Sequence, residues 1–265
     1  MYETKYHKSQ TVADAVAALA GAEEGKILSG GQTLLPTMKQ HLAAPTDLVD
    51  VRGIDGLDSI TASDGAISIG AAVCHADVAS NADVMAQIPA LAALAGGIGD
   101  PAVRALGTIG GSVANNDPAA DYPSAVLGLG ATVVTDKREI AADDFFDGMF
   151  TTALNEGEII TAVRFPVPSR AGYSKFPNPA SRYAMVGVFV AETTGTVRVA
   201  VTGAGADGVF RHDGLETALG VDFTVNAVDG VSVPSEGMLN DIHATADYRA
   251  HLVSVMTRRA VASAV

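Results

Sequence analysis

The chain carries a single cysteine, Cys74, among 265 residues. One thiol cannot build a disulfide framework, ligate an iron–sulfur cluster or make a cysteine-based zinc site. A reducing compartment is the natural reading. Basic residues are also scarce, and 17 Lys and Arg against 30 Asp and Glu leave a formal net charge of −13. An acidic surface repels nucleic-acid phosphate, and the one basic doublet, Arg258-Arg259, is too small to track a backbone. Charged residues of both signs reach only 18%, below the quarter common in soluble domains. Long apolar runs are missing as well. The most apolar window, Pro89 to Gly99, contains three glycines and falls short of the roughly 20 residues a spanning helix needs. Met1-Tyr2-Glu3-Thr4-Lys5 opens without an apolar signal core, so a soluble, cytoplasmic protein is expected. No serine sits in a Gly-x-Ser-x-Gly elbow. His7, His41, His212, His243 and His251 are scattered. No metal site is expected on this chain, and no clear catalytic base stands out.

What is present is apolar and glycine-rich. Hydrophobic content of 48% and 28 glycines suit a loop-rich protein with a real core, built as one large or two to three small domains. Thr11 caps a helix carrying Val12, Val16 and Leu19. Lys26-Ile27-Leu28 and Leu48 to Val51 read as strands, so residues 1–55 form a small α/β unit. Ser59-Ile60-Thr61 and Ala66 to Ile69 flank Asp64-Gly65, a hairpin signal. Ala72 to Val84, Pro89 to Leu94 and Pro123 to Leu129 read as helices, and 131–135 and 159–165 as strands. The segment 166–179 reads as a proline-rich connection. Beyond it, Ala184 to Val190 and Thr196 to Val201 form a hairpin about Thr194-Gly195. Asp213 to Leu219 is helical, and Tyr248, Leu252 and Val255 mark the core stripe of a final helix. Asp143, Asp144 and Asp147 read as a solvated acidic loop. His75 follows Cys74 at a helix start, and such a pair without further ligands reads as structural.

Two glycine doublets carry the functional signal. The first is Ser29-Gly30-Gly31-Gln32-Thr33 and the second Thr108-Ile109-Gly110-Gly111-Ser112. Glycine admits positive φ and close ligand approach, and successive N–H groups in such a turn make a nest for an anion. Two nests suggest one diphosphate held from both sides, hence a dinucleotide. Neither is a Walker A sequence nor Gly-x-Gly-x-x-Gly, so neither a P-loop nor a Rossmann site is supported. Asp117 before Pro118 reads as a turn residue. Asp121 reads either as a helix cap or as an acceptor for a ligand's hydroxyls or ring edge.

Ser29-Gly-Gly-Gln-Thr-Leu-Leu-Pro-x-Met-Lys39, followed by Thr108-Ile-Gly-Gly-Ser and Asp117-Pro-Ala-Ala-Asp-Tyr-Pro123, resembles the FAD-binding medium subunit of molybdenum hydroxylases. That family includes carbon monoxide dehydrogenase, xanthine dehydrogenase and aldehyde oxidoreductase. Ala204 to Arg211 and Leu239 to Arg249 resemble it too, so the likeness runs through nearly the whole chain.

The resemblance implies an α+β fold. A two-subdomain FAD-binding domain of the vanillyl-alcohol oxidase type would span 1–55 and 56–170, with an antiparallel sheet and helices over 171–265. It implies that Ser29 to Thr33 and Thr108 to Ser112 grip the FAD diphosphate and ribityl chain, and that Asp121 contacts the flavin nucleotide. Ile159 or Ile160 would lie beside the flavin, Ile160 being our assignment, and Lys175 would reach the cofactor. Molybdopterin and 2Fe–2S clusters would sit on a large and a small partner subunit, feeding electrons to FAD here for an external acceptor. The family commonly has His and Ser where this chain has Gln32 and Thr33, Asn at Ser112 and His at Asn115. A stand-alone FAD oxidase or reductase of the same fold, or a nucleotide-binding module without redox chemistry, are the other readings. Bulky residues at Gly31 or Gly111 are expected to lower FAD occupancy.

Overall fold

The computed structural model describes residues 1–265 and contains three sheets in chain order. The first is parallel. Strands β1 (Lys5–Lys8), β2 (Gly25–Leu28) and β3 (Asp47–Asp50) pair in the order β1-β3-β2. Helices α1 (Val12–Ala20) and α2 (Leu34–Lys39) make the crossovers. Thr11 starts α1 through a complete capping box: Asp14 N–H donates to Thr11 Oγ1, and Thr11 N–H donates to Asp14 Oδ2, both at 3.0 Å. Ala15 and Val49 pack with Leu57, Ala72 and Ile159, so this unit is welded to the second sheet and its approaches.

The second sheet is antiparallel, in the order β4-β5-β8-β6-β7. It comprises β4 (Ile60–Ser63), β5 (Ala66–Gly70), β6 (Thr132–Thr135), β7 (Glu139–Ala141) and β8 (Ile160–Pro166). Asp64 and Gly65, with φ of 50° and 73°, close the β4–β5 turn in the double positive-φ form that matches strand twist. Between β5 and β6 run α3 (His75–Ser80), α4 (Ala82–Gln87), α5 (Pro89–Gly96), α6 (Pro101–Arg104), α7 (Ile109–Asn115) and α8 (Tyr122–Gly128). The helix expected over 72–84 is therefore two helices. Asn81 takes extended backbone and its side chain accepts from the Asp83 and Val84 amides, ending one helix and capping the next.

The third sheet holds β9 (Arg170–Pro177), β10 (Ala184–Thr193), β11 (Thr196–Thr202) and β12 (Phe210–Arg211), in the order β12-β11-β10-β9. The expected 194–195 hairpin is present, with both residues at positive φ. β9 corrects the reading of 166–179 as a connection. Helices α9 (Asp213–Val221) and α10 (Ala246–Ala262) complete the chain. Every residue of Ala184–Ala191 is buried, because β10 is covered on both faces. Val186, Val188 and Val190 meet Leu252, Val253 and Met256 of α10. Phe189 and Ala191 face the other way, into the 31-residue core shared with the second sheet and α5, α7 and α8. The stripe on α10 is therefore not Tyr248-Leu252-Val255, since Tyr248 is 43% exposed. Nor is Asp143 merely solvated, for it pairs with Arg198 at 2.6 Å and with Arg211.

No helix is long and apolar enough to cross a membrane. No group of three His, Cys, Asp or Glu is placed to hold a metal ion.

Candidate functional site

A cleft of about 770 Å³ opens where all three sheets meet, within the 300–1,000 Å³ of small-molecule sites. The first bend leaves β2 at Ser29 and enters α2 after Thr33. Gly31 stands at φ +68°, a conformation that costs other residues about 1–2 kcal/mol. The amides of Gly30, Gly31, Gln32 and Thr33 donate to no protein acceptor, and all four residues line the cleft. Four successive N–H groups without a protein acceptor are what an anion nest requires.

The second doublet is different, and here the sequence reading needs correction. Gly110 and Gly111 are not a loop but the first turn of α7, capped by Thr108, whose Oγ1 accepts from the Gly111 amide. The Ile109 amide donates to Val73 O, Gly110 to Ala71 O and Ser112 to Thr108 O. This segment therefore offers no second nest. Gly110 serves packing: a Cβ there would lie 2.6 Å from the Ala71 carbonyl oxygen. What it shows the cleft is Thr108, Gly110, Gly111 and the Ser112 side of the helix.

The two segments lean on each other. A Cβ on Gly30 would come within 2.4 Å of Leu106 O and 2.7 Å of Gly107 Cα. Ser29 Oγ and Thr108 Oγ1 share a hydrogen bond of 2.9 Å across the seam. Gly30 is thus demanded by the approach of one main chain to the other.

Asp121 stands at the start of α8 but caps nothing with its side chain. Buried, it accepts from Lys175 Nζ at 2.8 Å and from the Tyr173 hydroxyl. Burial pushes its carboxyl up, while Lys175 and Tyr173 act in the opposite sense. Lys175 also donates to Gly97 O at 2.9 Å. Strand β9, absent from the sequence reading, thus delivers two of the groups that hold Asp121.

Of the anticipated site residues, Ser29, Gly30, Gly31, Gln32, Thr33, Thr108, Gly110, Gly111, Ser112, Asp121 and Ile160 line the cleft. Ile109 and Lys175 do not. The Ile109 side chain is sealed in the core, and Lys175 stands behind Asp121. Asp117 does form the expected turn, accepting from the Ala119 amide, yet it also faces the cleft, and burial raises its carboxyl. His75, Tyr183 and Leu154 line it too and were not singled out as ligand contacts. Only His75 carried a local signal, as a histidine at a helix start. Glu158 fixes the turn before Ile160. Arg138 lowers its carboxyl to about 2, against burial, with help from Asn155 and Thr135.

Residues 2–168 match the family model described as the FAD binding domain in molybdopterin dehydrogenase. The chain belongs to this family. Individual relatives match over nearly the whole chain, beyond the flavin domain itself. The nicotine 6-hydroxylase medium subunit of Paenarthrobacter nicotinovorans is 32% identical over 98% of this chain and 96% of its own length. The carbon monoxide dehydrogenase medium chain of Hydrogenophaga pseudoflava is also 32% identical, with the same coverage of both chains. Among solved structures, carbon monoxide dehydrogenase from Hydrogenophaga pseudoflava lacking the Mo-pyranopterin moiety superposes with a TM-score of 0.88, at 31% identity, covering 98% of this chain and 96% of that one. Reconstituted carbon monoxide dehydrogenase from Oligotropha carboxidovorans reaches 0.89 at 30% identity, covering 99% and 98%. The α+β class and the C-terminal antiparallel sheet with helices accord with these matches.

Proposed function

We propose that this chain is the FAD-carrying medium subunit of a cytoplasmic molybdenum hydroxylase, an oxidoreductase whose substrate is oxidised on a partner. The observation that carries the cofactor assignment is the row of four free amides at Gly30–Thr33, lining a large cleft in a chain of this family. Residues 1–55 and 56–170 are the two halves of the flavin site, and 171–265 brace it, with Tyr173 and Lys175 of β9 holding Asp121 and Ser181 to Tyr183 lining the cleft.

Free N–H groups at residues 30–33 suit the diphosphate, with Ser112 and whichever of Ser29 and Thr108 accepts in their shared bond adding hydroxyl donors, and Ile109 setting the pitch of α7 from the core. Asp121 takes the nucleotide's hydroxyl or ring-edge donors, held in place by Lys175 from behind. Ile160 gives the ring an apolar neighbour. When bound, FAD supplies a redox centre able to take electrons singly and release them to an external acceptor. The residues of this chain bind and orient it; none is needed as an acid or base.

Medium chains of carbon monoxide dehydrogenase and nicotine 6-hydroxylase are parts of multi-subunit enzymes by their names. That favours a large molybdopterin subunit and a small iron–sulfur subunit as partners here, over a stand-alone oxidase. The test is purification of the complex under mild conditions, a visible spectrum, and analysis for flavin, molybdenum and iron. FAD with both metals is the expected result. A chain that takes up no FAD even on reconstitution refutes the assignment.

A further inference from the structure

One polar ring in the wall of the cleft has nothing to bond. His75 is 5% exposed, and its Nδ1 is sealed without a partner. Nε2 makes no protein hydrogen bond either, yet it is not sealed, and the ring lines the cleft. Its position is pinned from two sides. The His75 amide donates to Gly107 O at 2.9 Å, and Cys74 bridges to Thr108 as an antiparallel pair. The ring lies against Gly107, where a Cβ would stand 2.7 Å from Nε2. Gly107 is also the residue under Gly30. One glycine thus separates the imidazole from the start of the amide nest.

A buried polar ring with no partner destabilises the fold unless something answers it. Burial first, and Arg104 second, hold its pKa to about 4, so the ring is neutral with one proton at pH 7. Sealed Nδ1 has no acceptor for that proton. Nε2, open to the cleft, is where a bond to an anionic oxygen is worth most.

We propose that His75 completes the diphosphate cradle, its Nε2–H donating to a pyrophosphate oxygen beside the Gly30–Thr33 amides; this rests on the FAD reading above. The test titrates the full apo chain calorimetrically with FAD, with ADP-ribose (two phosphates, no flavin) and with riboflavin (flavin, no phosphate). His75→Leu should weaken FAD and ADP-ribose about ten- to a hundredfold and leave riboflavin unchanged. His75→Gln, whose amide nitrogen can stand in for Nε2, should recover most of the loss. Ring ¹⁵N spectra of the FAD-loaded wild type should show the protonated, pyrrole-type signal on Nε2. Equal FAD affinity in His75→Leu, or an unprotonated Nε2 in the loaded chain, overturns the proposal. If His75→Leu does not fold, the ¹⁵N spectrum decides alone. A wild type that fails to bind FAD refutes the cofactor assignment itself, whereas a wild type that binds while the variant is unaffected refutes only the role of His75.

Discussion

Gly30→Ala is the sharpest probe of the seam between the two glycine segments. Its Cβ would fall 2.4 Å from Leu106 O, 2.7 Å from Gly107 Cα and 2.9 Å from Thr108 N. All three are main-chain atoms, so no rotamer change relieves the overlap. Restoring ordinary contact moves the segments apart by about 1 Å, the gap between 2.4 Å and a normal approach of 3.4 Å. The Ser29–Thr108 hydrogen bond, now 2.9 Å, then breaks at a net cost of about 1 kcal/mol. Overpacking adds about 1–3 kcal/mol. The sum, about 2–4 kcal/mol, corresponds to a melting-point fall of roughly 4–16 °C for a chain of this size. FAD affinity, read by flavin fluorescence on refolded protein, should fall at least tenfold, since the nest shifts relative to the opposite wall. Gly31→Ala should cost about 1–2 kcal/mol for its left-handed backbone, because Leu35 Cδ1, 2.9 Å away, can swing aside. Gly111→Ala sits in a helix, where alanine is favoured by about 1 kcal/mol, offset by the 3.0 Å approach of its Cβ to Thr108 Oγ1, and should melt near the wild type. A Gly30→Ala protein with unchanged melting point and FAD affinity would refute the claim that one main chain bears on the other.

Breaking the buried Asp121–Lys175 pair from one side should destabilise strongly, by about 3–5 kcal/mol for Lys175→Met in thermal unfolding, since it strands a carboxylate. The double variant Asp121→Asn/Lys175→Met should recover part of that loss, and strict additivity would argue against coupling. Acid should weaken the fold through two groups with the same sign. Unfolded, His75 takes a proton near its ordinary 6.5, but folded only near 4, so up to about 3 kcal/mol is lost as pH falls between those values. Glu158 is held at about 2 against an ordinary 4.5, so its contribution is present above 4.5 and is lost as pH falls toward 2. In urea titrations from pH 7 to pH 4, stability should fall less steeply in His75→Leu than in wild type. Arg249 bonds Met185 O, Gly203 O and both oxygens of Asp241 from a nearly sealed position. Arg249→Lys keeps the charge but not the fork, and should lower the melting point and expose 239–244 to protease.

Much of this fold is written in short-range chemistry. Thr11, Asp64-Gly65 and Thr194-Gly195 announce a cap and two hairpins because each satisfies its own backbone within a few residues. The first glycine bend was legible because a glycine doublet after a strand signals a positive-φ turn, which Gly31 makes. The second was not. A glycine pair disfavours helix in isolation, but the Thr108 cap and the contact of Gly110 with Ala71 override that preference. Strand β9 escaped notice because its polar residues, Arg170, Ser174 and Lys175, find partners only across the fold, on Glu192, Met256 and Asp121. Ile109 could be placed in the right segment but not on the right side of it. His75 shows the limit most clearly. A Cys-His pair reads as inert until Gly107 and the cleft are seen on either side of the ring.

The same long-range contacts bear on whether the C-terminal third could be separated from the flavin site. Residues 2–168 alone match the family's FAD domain, which suggests a cut after β8. Two features oppose it. Phe189 and Ala191 of β10 and Ala200 of β11 lie in the same core as Leu91, Leu94 and Tyr122, so the cut would open a wide apolar face on α5 and α8. It would also remove Tyr173 and Lys175, leaving Asp121 with neither of its partners. An ionised carboxylate so placed either takes a proton or draws in water, and in both cases the group lining the cleft changes character. The third sheet is therefore coupled to the cleft through Asp121 rather than an appendage to it. A 1–168 fragment should accordingly aggregate or bind FAD poorly, and a soluble fragment with wild-type FAD affinity would break the link between β9 and the cleft.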